Sequence, residues 1–404
     1  MKPIYIALAL VSASLPAYAQ EKSGENWGKN LITFTHGLPQ VQAFKERLSA
    51  ANYDRTAKSA LLYNPTASFD VVSDDTTNFQ VGINQTLDLF GKRQMRRKFG
   101  TAQARLAEQS FEVAYQDYLA DVLVGLSEYE AARRQLVLAE KHASNLQALA
   151  DLTKKRLANG DLGNADGTLA TLALSSAYPT IAEERTKSIE AQARLKTLLG
   201  NSFADFTTLP NRVIWRDSGS IDTDSLLAGS PRVREAYERY QVARAAIGIA
   251  KKNRNADPTV GVVAGRDGGA ALVGVNVSVP LNISKSFKAS EQATSRRSLA
   301  AEMDYRQIQQ AIGAELEGTL LAWRENTRQL DLYDNLTGAA PEEGLKILKA
   351  RWEMGDMSTA EFLLALDRWR ESVAAGIKLR ALQRRSLVTW LRTSGQVKDW
   401  LGRH

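Results

Sequence analysis

The ionisable side chains of this 404-residue chain are plentiful, but their types and spacing assemble no reaction centre. The absence of cysteine removes disulfides, thiolate metal sites, cysteine nucleophiles and a lipidated N-terminal cysteine together. His36, His142 and His404 are scattered, methionine is scarce, and no phosphate-cradling glycine motif precedes a helix. No enzyme, metal site or cofactor is expected. Two groups of charges are nonetheless regularly placed. Asp161 and Asp166 follow Gly160 just as Asp356 and Glu361 follow Gly355. An acid in a first helical turn stabilises the helix dipole, and each glycine permits the turn before it. The second group, Lys92, Arg93, Arg96, Arg97 and Lys98, does the reverse: five cations open a helix against its dipole, so another group must compensate them.

The basic group and the first pair of acids lie at the two ends of one helix-forming stretch. From Lys92 to Asn159 there is no proline and only two glycines, Gly100 and Gly125, and apolar or small residues recur three and four apart through Leu119, Val122, Leu126 and Tyr129. Toward its end the pattern settles into sevens, with Leu136, Ala143, Ala150 and Leu157 on one row and Ala132, Ala139 and Leu146 on the next. Such spacing predicts coiled-coil packing. At about 1.5 Å per residue the rod is roughly 100 Å long, well beyond the helices of a compact domain.

The chain begins with Lys2, an apolar core from Ile4 to Val11, Pro16, and Ala17-Tyr18-Ala19 before Gln20. These are the three regions of a secretory signal over residues 1–19, and they predict cleavage after Ala19 and export. The net charge of +7, from 52 Lys+Arg against 45 Asp+Glu, could suggest nucleic acid as a partner. Export and the mixed signs along helical faces argue instead for a solvated helical surface. No run of about eighteen apolar residues offers a helical membrane span.

The order of elements occurs twice. After a polar segment over 20–37, the first unit covers 38–200. Leu38-Pro39 starts a helix to about Leu62, ended by Asn64-Pro65. Phe69 and Val71, then Phe79, Val81 and Ile83, alternate with polar residues around the turn Ser73 to Thr77, which predicts a β-hairpin with one apolar face. Leu87 to Gly91 leads into the rod, Asn159 to Gly163 ends it, and a helix returns from about Ala165 to Leu199 with a kink or break at Tyr178-Pro179. Residues 201–229 form an irregular connector.

The second unit, 230–395, has a helix from Pro231 to about Asn253, a strand from Val260 to Ala264, and the turn Arg266-Asp267-Gly268-Gly269. A strand with Val273, Val275, Val277 and Val279 on one side leads to Pro280-Leu281-Asn282. Its rod, Ser284 to Trp352, is strained or kinked by Gly338 and Pro341, and its return helix, Thr359 to Thr393, meets Gly395 and a tail over 396–404. Gly160, Asp161 and Gly200 fall on Gly355, Asp356 and Gly395 at an offset of 195, while Pro65 and Leu87 fall on Pro258 and Leu281 at 193 and 194. A near-constant offset in a fixed order marks an internal repeat.

Four strands of this length and alternation suit a membrane wall, yet four cannot close a barrel, and open edges are not tolerated in lipid. The strands must then close with those of other copies; the alternative is a small soluble sheet capping a helical bundle. Several ordered motifs bear on the choice: Asn64-Pro65, the run Gln85 to Arg93, Lys155-Arg156-Leu157-Ala158-Asn159-Gly160, Leu198-Leu199-Gly200, and Arg351-Trp352-Glu353-Met354-Gly355. With them, nearly all of the mature sequence resembles the TolC-like family of outer-membrane efflux proteins.

That resemblance implies a mainly α fold with a small β part: long antiparallel coiled-coil helices forming an α-barrel, and four strands per protomer in the twelve-stranded barrel of a homotrimer. It implies a passive exit duct in the outer membrane of a Gram-negative bacterium, serving a tripartite efflux or type I secretion system. A periplasmic adaptor and an inner-membrane pump of RND or ABC type would be its partners; the alternative is a soluble periplasmic coiled-coil scaffold or adaptor. Phe79, Val81, Ile83, Val273, Val275, Val277 and Val279 would face outer-membrane lipid. Gly160, Asp161, Asp166, Gly355, Asp356 and Glu361 would form the periplasmic tip and gate, where threefold symmetry gathers acids into a ring that favours cations. The dipole reading of the same acids stands beside it. Phe90, Gly91, Lys92, Arg93, Arg96, Arg97 and Lys98, with Lys285, Phe287, Lys288, Arg296 and Arg297 at the same level, would meet lipid headgroups at the strand-to-helix junction.

Overall fold

A computed structural model of the chain describes residues 27–73, 77–207, 209, 222–282, 284–337 and 340–403. The signal over 1–19, most of the first hairpin turn and Gly338 lie outside the described residues. The first half comprises α1 (Trp27–Thr35), α2 (Pro39–Ser59), β1 (Thr66–Ser73), β2 (Thr77–Thr86), α3 (Lys92–Ala158) and α4 (Asn164–Leu199). A 3-10 turn (Gly200–Phe206) and α5 (Thr223–Gly229) lead to α6 (Pro231–Lys252), β3 (Thr259–Asp267), β4 (Ala270–Ser278), α7 (Ser286–Thr337), α8 (Ala340–Met354), α9 (Thr359–Ser394) and α10 (Val397–Gly402).

The predicted rod is one unbroken helix: α3 has 67 residues, which at the helical rise is roughly 100 Å. Its twin is described as two helices, α7 and α8, with Pro341 in the first turn of α8, where a proline is tolerated; the strain expected at Gly338 lies outside the described residues. Pro179 does not break α4, contrary to the alternative of a break. It sits on the exposed side, where the carbonyl deprived of its amide partner can turn to water.

Packing follows the heptads with a small rotation. In the lower part of α3 the buried row is Ala139, His142, Leu146, Leu149 and Thr153, while Leu136, Ala143, Ala150 and Leu157 are half-buried. Leu146 and Leu149 of this row, with Leu138, join Trp352, Phe362, Leu366 and Trp369 in the core nearest the tips. His142 fills a polar gap in it, its Nε2 3.4 Å from Asp367 Oδ1 of α9, and burial holds its pKa below the usual imidazole range. A larger core lies midway, where Tyr115, Leu119, Leu123 and Leu126 of α3 meet Leu195 and Leu199 of α4 and Leu387 and Leu391 of α9. Trp323 stacks on Trp390 there at 5.2 Å. Helices α1 and α10 close onto this core: Trp27 and Leu31 of α1 pack with Val397, Trp400 and Leu401 of α10. Gly28 lies so near the Leu401 carbonyl that a Cβ would overlap it.

The strands form one antiparallel sheet in the order β1-β2-β3-β4. The β2–β3 pairing therefore joins the two halves of the repeat. The second hairpin turns on Gly268 and Gly269, at φ 56° and 87°, a two-residue turn that needs both in the left-handed region.

Candidate functional site

Residues directly opposite in an antiparallel sheet share a face, so the register sorts the strand residues without ambiguity. Phe69, Val81, Ala264 and Val273 lie in one row, and Ala67, Ile83, Val262 and Val275 in the next. Phe79 and Val277 share that face, and Val279 lies just beyond β4. The face is apolar and bare: Val273 is 84% exposed and Val275 77%. The opposite face carries Ser68, Asp70, Gln80, Asn84, Asn276 and Ser278. Gly261 sits between Asn84 and Asn276, where a Cβ would overlap both amide oxygens, so the missing side chain lets the polar face draw together. A bare apolar face of this extent, on a sheet whose outer strands β1 and β4 have open edges, calls for a partner or a lipid phase.

At the base of the sheet, Gly91 turns the chain at φ 72° into α3. The carboxylate of Asp88 accepts from the amides of Lys92 and Arg93, each at 2.7 Å, and supplies the compensation that the basic first turns require. Lys92 is not free to meet lipid: its Nζ lies 2.9 Å from Oδ2 of Asp257, whose side chain is 1% exposed. The Tyr63 hydroxyl donates to the same oxygen at 2.8 Å. Burial and that bond push Tyr63 up to about 12. Arg93 donates from Nε to the Ser59 carbonyl at 2.9 Å, and Arg96 is half-buried. Arg97, Lys98, Lys285, Lys288, Arg296 and Arg297 are exposed, as is Phe90, while Phe287 is half-buried. The basic group thus divides into an inner part that joins the halves and an outer part facing solvent.

At the other end the two tips are built alike. Gly160 and Gly355 take φ 83° and 85°, and the amides of Asp161 and Asp356 donate to the carbonyls of Arg156 and Arg351, both at 2.9 Å. Asp161 and Asp356 are exposed, and Asp166 is half-buried in the first turn of α4. Glu361 folds back on its own helix: its Oε2 accepts from the Ser358 amide at 2.9 Å and hydroxyl at 2.8 Å, while Ser358 Oγ accepts from the Glu361 amide at 3.2 Å. These bonds hold its carboxyl below the usual range.

Arg156 joins the tips. Its guanidinium lies 5.2 Å from the Trp352 ring and donates to the carbonyls of Trp352 and Glu353, closing the end of α8. Trp352 in turn stacks on Phe362 at 5.3 Å. Sequence reasoning placed Arg156 and Trp352 in tip motifs but not in contact. Their common position at rod ends is the only local signal.

A sequence model of the outer membrane efflux protein matches residues 38–201 and again 223–396, once on each half. The chain belongs to that family. Solved structures agree on the fold over the whole length. The Campylobacter jejuni CmeC outer membrane channel is 14% identical with a TM-score of 0.77, over 98% of this chain and 93% of that one. CusC, described for transmembrane channel formation, is 17% identical with a TM-score of 0.76, over 97% and 98%. The outer-membrane channel OprN is 17% identical with a TM-score of 0.75, over 99% of each. No curated protein matches the sequence. The family is one of outer-membrane efflux channels. Its fold is the mainly helical one with a four-stranded antiparallel sheet and a twofold repeat.

Proposed function

We propose that this efflux protein is the passive exit duct of a tripartite exporter, a homotrimer whose sheets close a barrel through the outer membrane and whose rods cross the periplasm. The observation that carries this reading is the bare apolar sheet face with two open edges, mounted on rods roughly 100 Å long. Phe79, Val81, Ile83, Val273, Val275, Val277 and Val279 face lipid, and the Asn84–Gly261–Asn276 row lines the lumen. The exposed cations Arg97, Lys98, Lys285 and Lys288 meet headgroup phosphates. The tips dock a periplasmic adaptor fed by an inner-membrane pump, and Asp166 and Glu361 ring the entrance.

Cell fractionation tests the proposal. The mature protein, beginning at Gln20, is expected in the outer membrane as an oligomer that dissociates on heating. A monomer released with the soluble periplasm would favour the scaffold reading instead.

A further inference from the structure

Beneath the sheet, α2, α3, α6 and α7 stand side by side in that order. Copies that meet at the flanks α2 and α7 leave the seam between α3 and α6 uncovered. Along this seam lies a cavity of about 540 Å³, lined by Arg97, Lys98 and Arg105 of α3 and by Tyr237, Glu238 and Arg244 of α6. Small residues make the room. Ala102 and Ala245 share the lining, and Gly248, where a Cβ would come within 2.8 Å of the Met95 sulfur, lets that side chain lie across the upper end.

The groove opens away from the bore. At steps of three and four, Arg97, Thr101, Arg105, Glu108, Glu112 and Tyr115 share one face of α3. Tyr115 lies under α1, its hydroxyl 3.1 Å from that of Thr35. The cations therefore open on the side of the wall that carries α1, and in a ring of copies this added layer has room only on the outside.

Charge selects the chemistry of an occupant. All four cations are exposed, and among the described residues none has a carboxylate partner. Neighbouring arginines of α6 are paired, Arg232 with Asp117 and Arg239 with Glu235, each at 2.9 Å. Glu238 is half-buried, and its Oε2 is enclosed without a hydrogen-bond partner. Four cations against one carboxylate leave a net charge of +3, so the groove calls for an anion that also brings a donor to Glu238.

Height selects its source. Lys98 and Arg244 lie three and four residues below the level where Met95 rests against Gly248, so they face each other across the seam about 9 Å below the start of α3. Arg105 and Glu238 face each other in the same way, each ten residues below that level. Leu61, Leu89 and Leu281 are exposed at the base of the sheet, where hydrocarbon would end. A headgroup layer adds about 5–8 Å beyond it, which brings phosphate within side-chain reach of Arg97, Lys98 and Arg244.

Resting on the duct reading, and deepening its headgroup contact, we propose that this groove is a binding site for a phosphatidylglycerol headgroup of the periplasmic leaflet. Arg97, Lys98 and Arg244 hold the phosphate. The terminal glycerol points down the seam toward Arg105, and a hydroxyl donates to Glu238. An ethanolamine headgroup could also donate to Glu238, but as a zwitterion it leaves the net charge of the groove uncompensated.

Native mass spectrometry of the oligomer extracted from outer membranes tests the site, with added phosphatidylglycerol, phosphatidylethanolamine or free glycerol phosphate. Phosphatidylglycerol should be retained at up to one molecule per subunit, and K98Q/R244Q should weaken its retention about tenfold. R234Q/K251Q removes two exposed cations of α6 outside the groove and should retain the lipid as the wild type does. Equal losses in the two double variants, or equal retention of the ethanolamine lipid, would overturn the groove and leave the duct reading intact. Free glycerol phosphate bound as tightly as the lipid would overturn the leaflet as the source. A chain recovered only as a soluble monomer would overturn both the groove and the duct.

Discussion

Glu361 shows how one side chain serves two readings. Its carboxylate closes a capping box with Ser358, which accounts for its position without any gate, and the same bonds keep it ionised. With a depressed pKa in the folded chain, that cap is fully present above the ordinary glutamate value near about 4.3 and is lost as pH falls through the lower folded value. Glutamine can occupy a capping box but carries no charge. E361Q should therefore leave α9 intact while lowering the cation preference of the reconstituted channel, read as a shift in reversal potential across a planar bilayer. D166N provides the first-tip counterpart, at a helix whose N-cap, Gly163, has no side chain. Wild-type selectivity in both variants would reduce the acids to helix caps. The tip glycines were legible in the sequence because a left-handed turn leaves few choices of residue. The Arg156–Trp352 contact was not, since its partners are 196 positions apart and no local pattern pairs them.

Elements were legible wherever their signal is periodic and local. The rods, the return helices and both hairpins follow from spacing alone. The short helices α1 and α10 escaped notice because each is too brief to show a period and is held by tertiary contact with the central core. The buried row of α3 is rotated by part of a turn from the heptads, taking in His142 and Thr153 beside Ala139 and Leu146, because polar residues carry no apolar period. The basic start of α3 is the clearest case of a local oddity with a non-local answer, divided between the Asp88 cap, the buried Asp257 and the exposed remainder. The division is testable by two variants with different readouts. Neutralising Arg97, Lys98, Lys285 and Lys288 to glutamine should weaken membrane insertion while the helical melt stays as in the wild type. K92Q should act on folding, with a loss of up to about 3–5 kcal/mol, because it leaves the buried Asp257 without its counter-charge and with only the Tyr63 hydroxyl bond. Wild-type insertion of the quadruple variant would remove the headgroup role.

For the whole molecule, strand alternation predicts an apolar face but not the order of strands, because the β2–β3 pairing brings together segments separated by a rod, a return helix and a connector. That pairing turns two small hairpins into one wall with a continuous apolar side, and the phase that covers this side decides what the protein is. Lipid and water make opposite demands on Val275. An arginine on the lipid face of a membrane barrel costs about 2–4 kcal/mol near the midplane, and each copy in the ring bears that cost again. Gln80 lies on the polar face opposite Asp70, where an arginine can pair and remain hydrated. V275R should therefore deplete the heat-dissociable oligomer from the outer membrane, while Q80R should accumulate there at the wild-type level. If the sheet instead capped a soluble bundle, V275R would relieve exposed apolar surface and raise the soluble yield. The pair of variants thus separates a membrane wall from a soluble cap by the direction of a single change, with the same charge placed on the other face as its control.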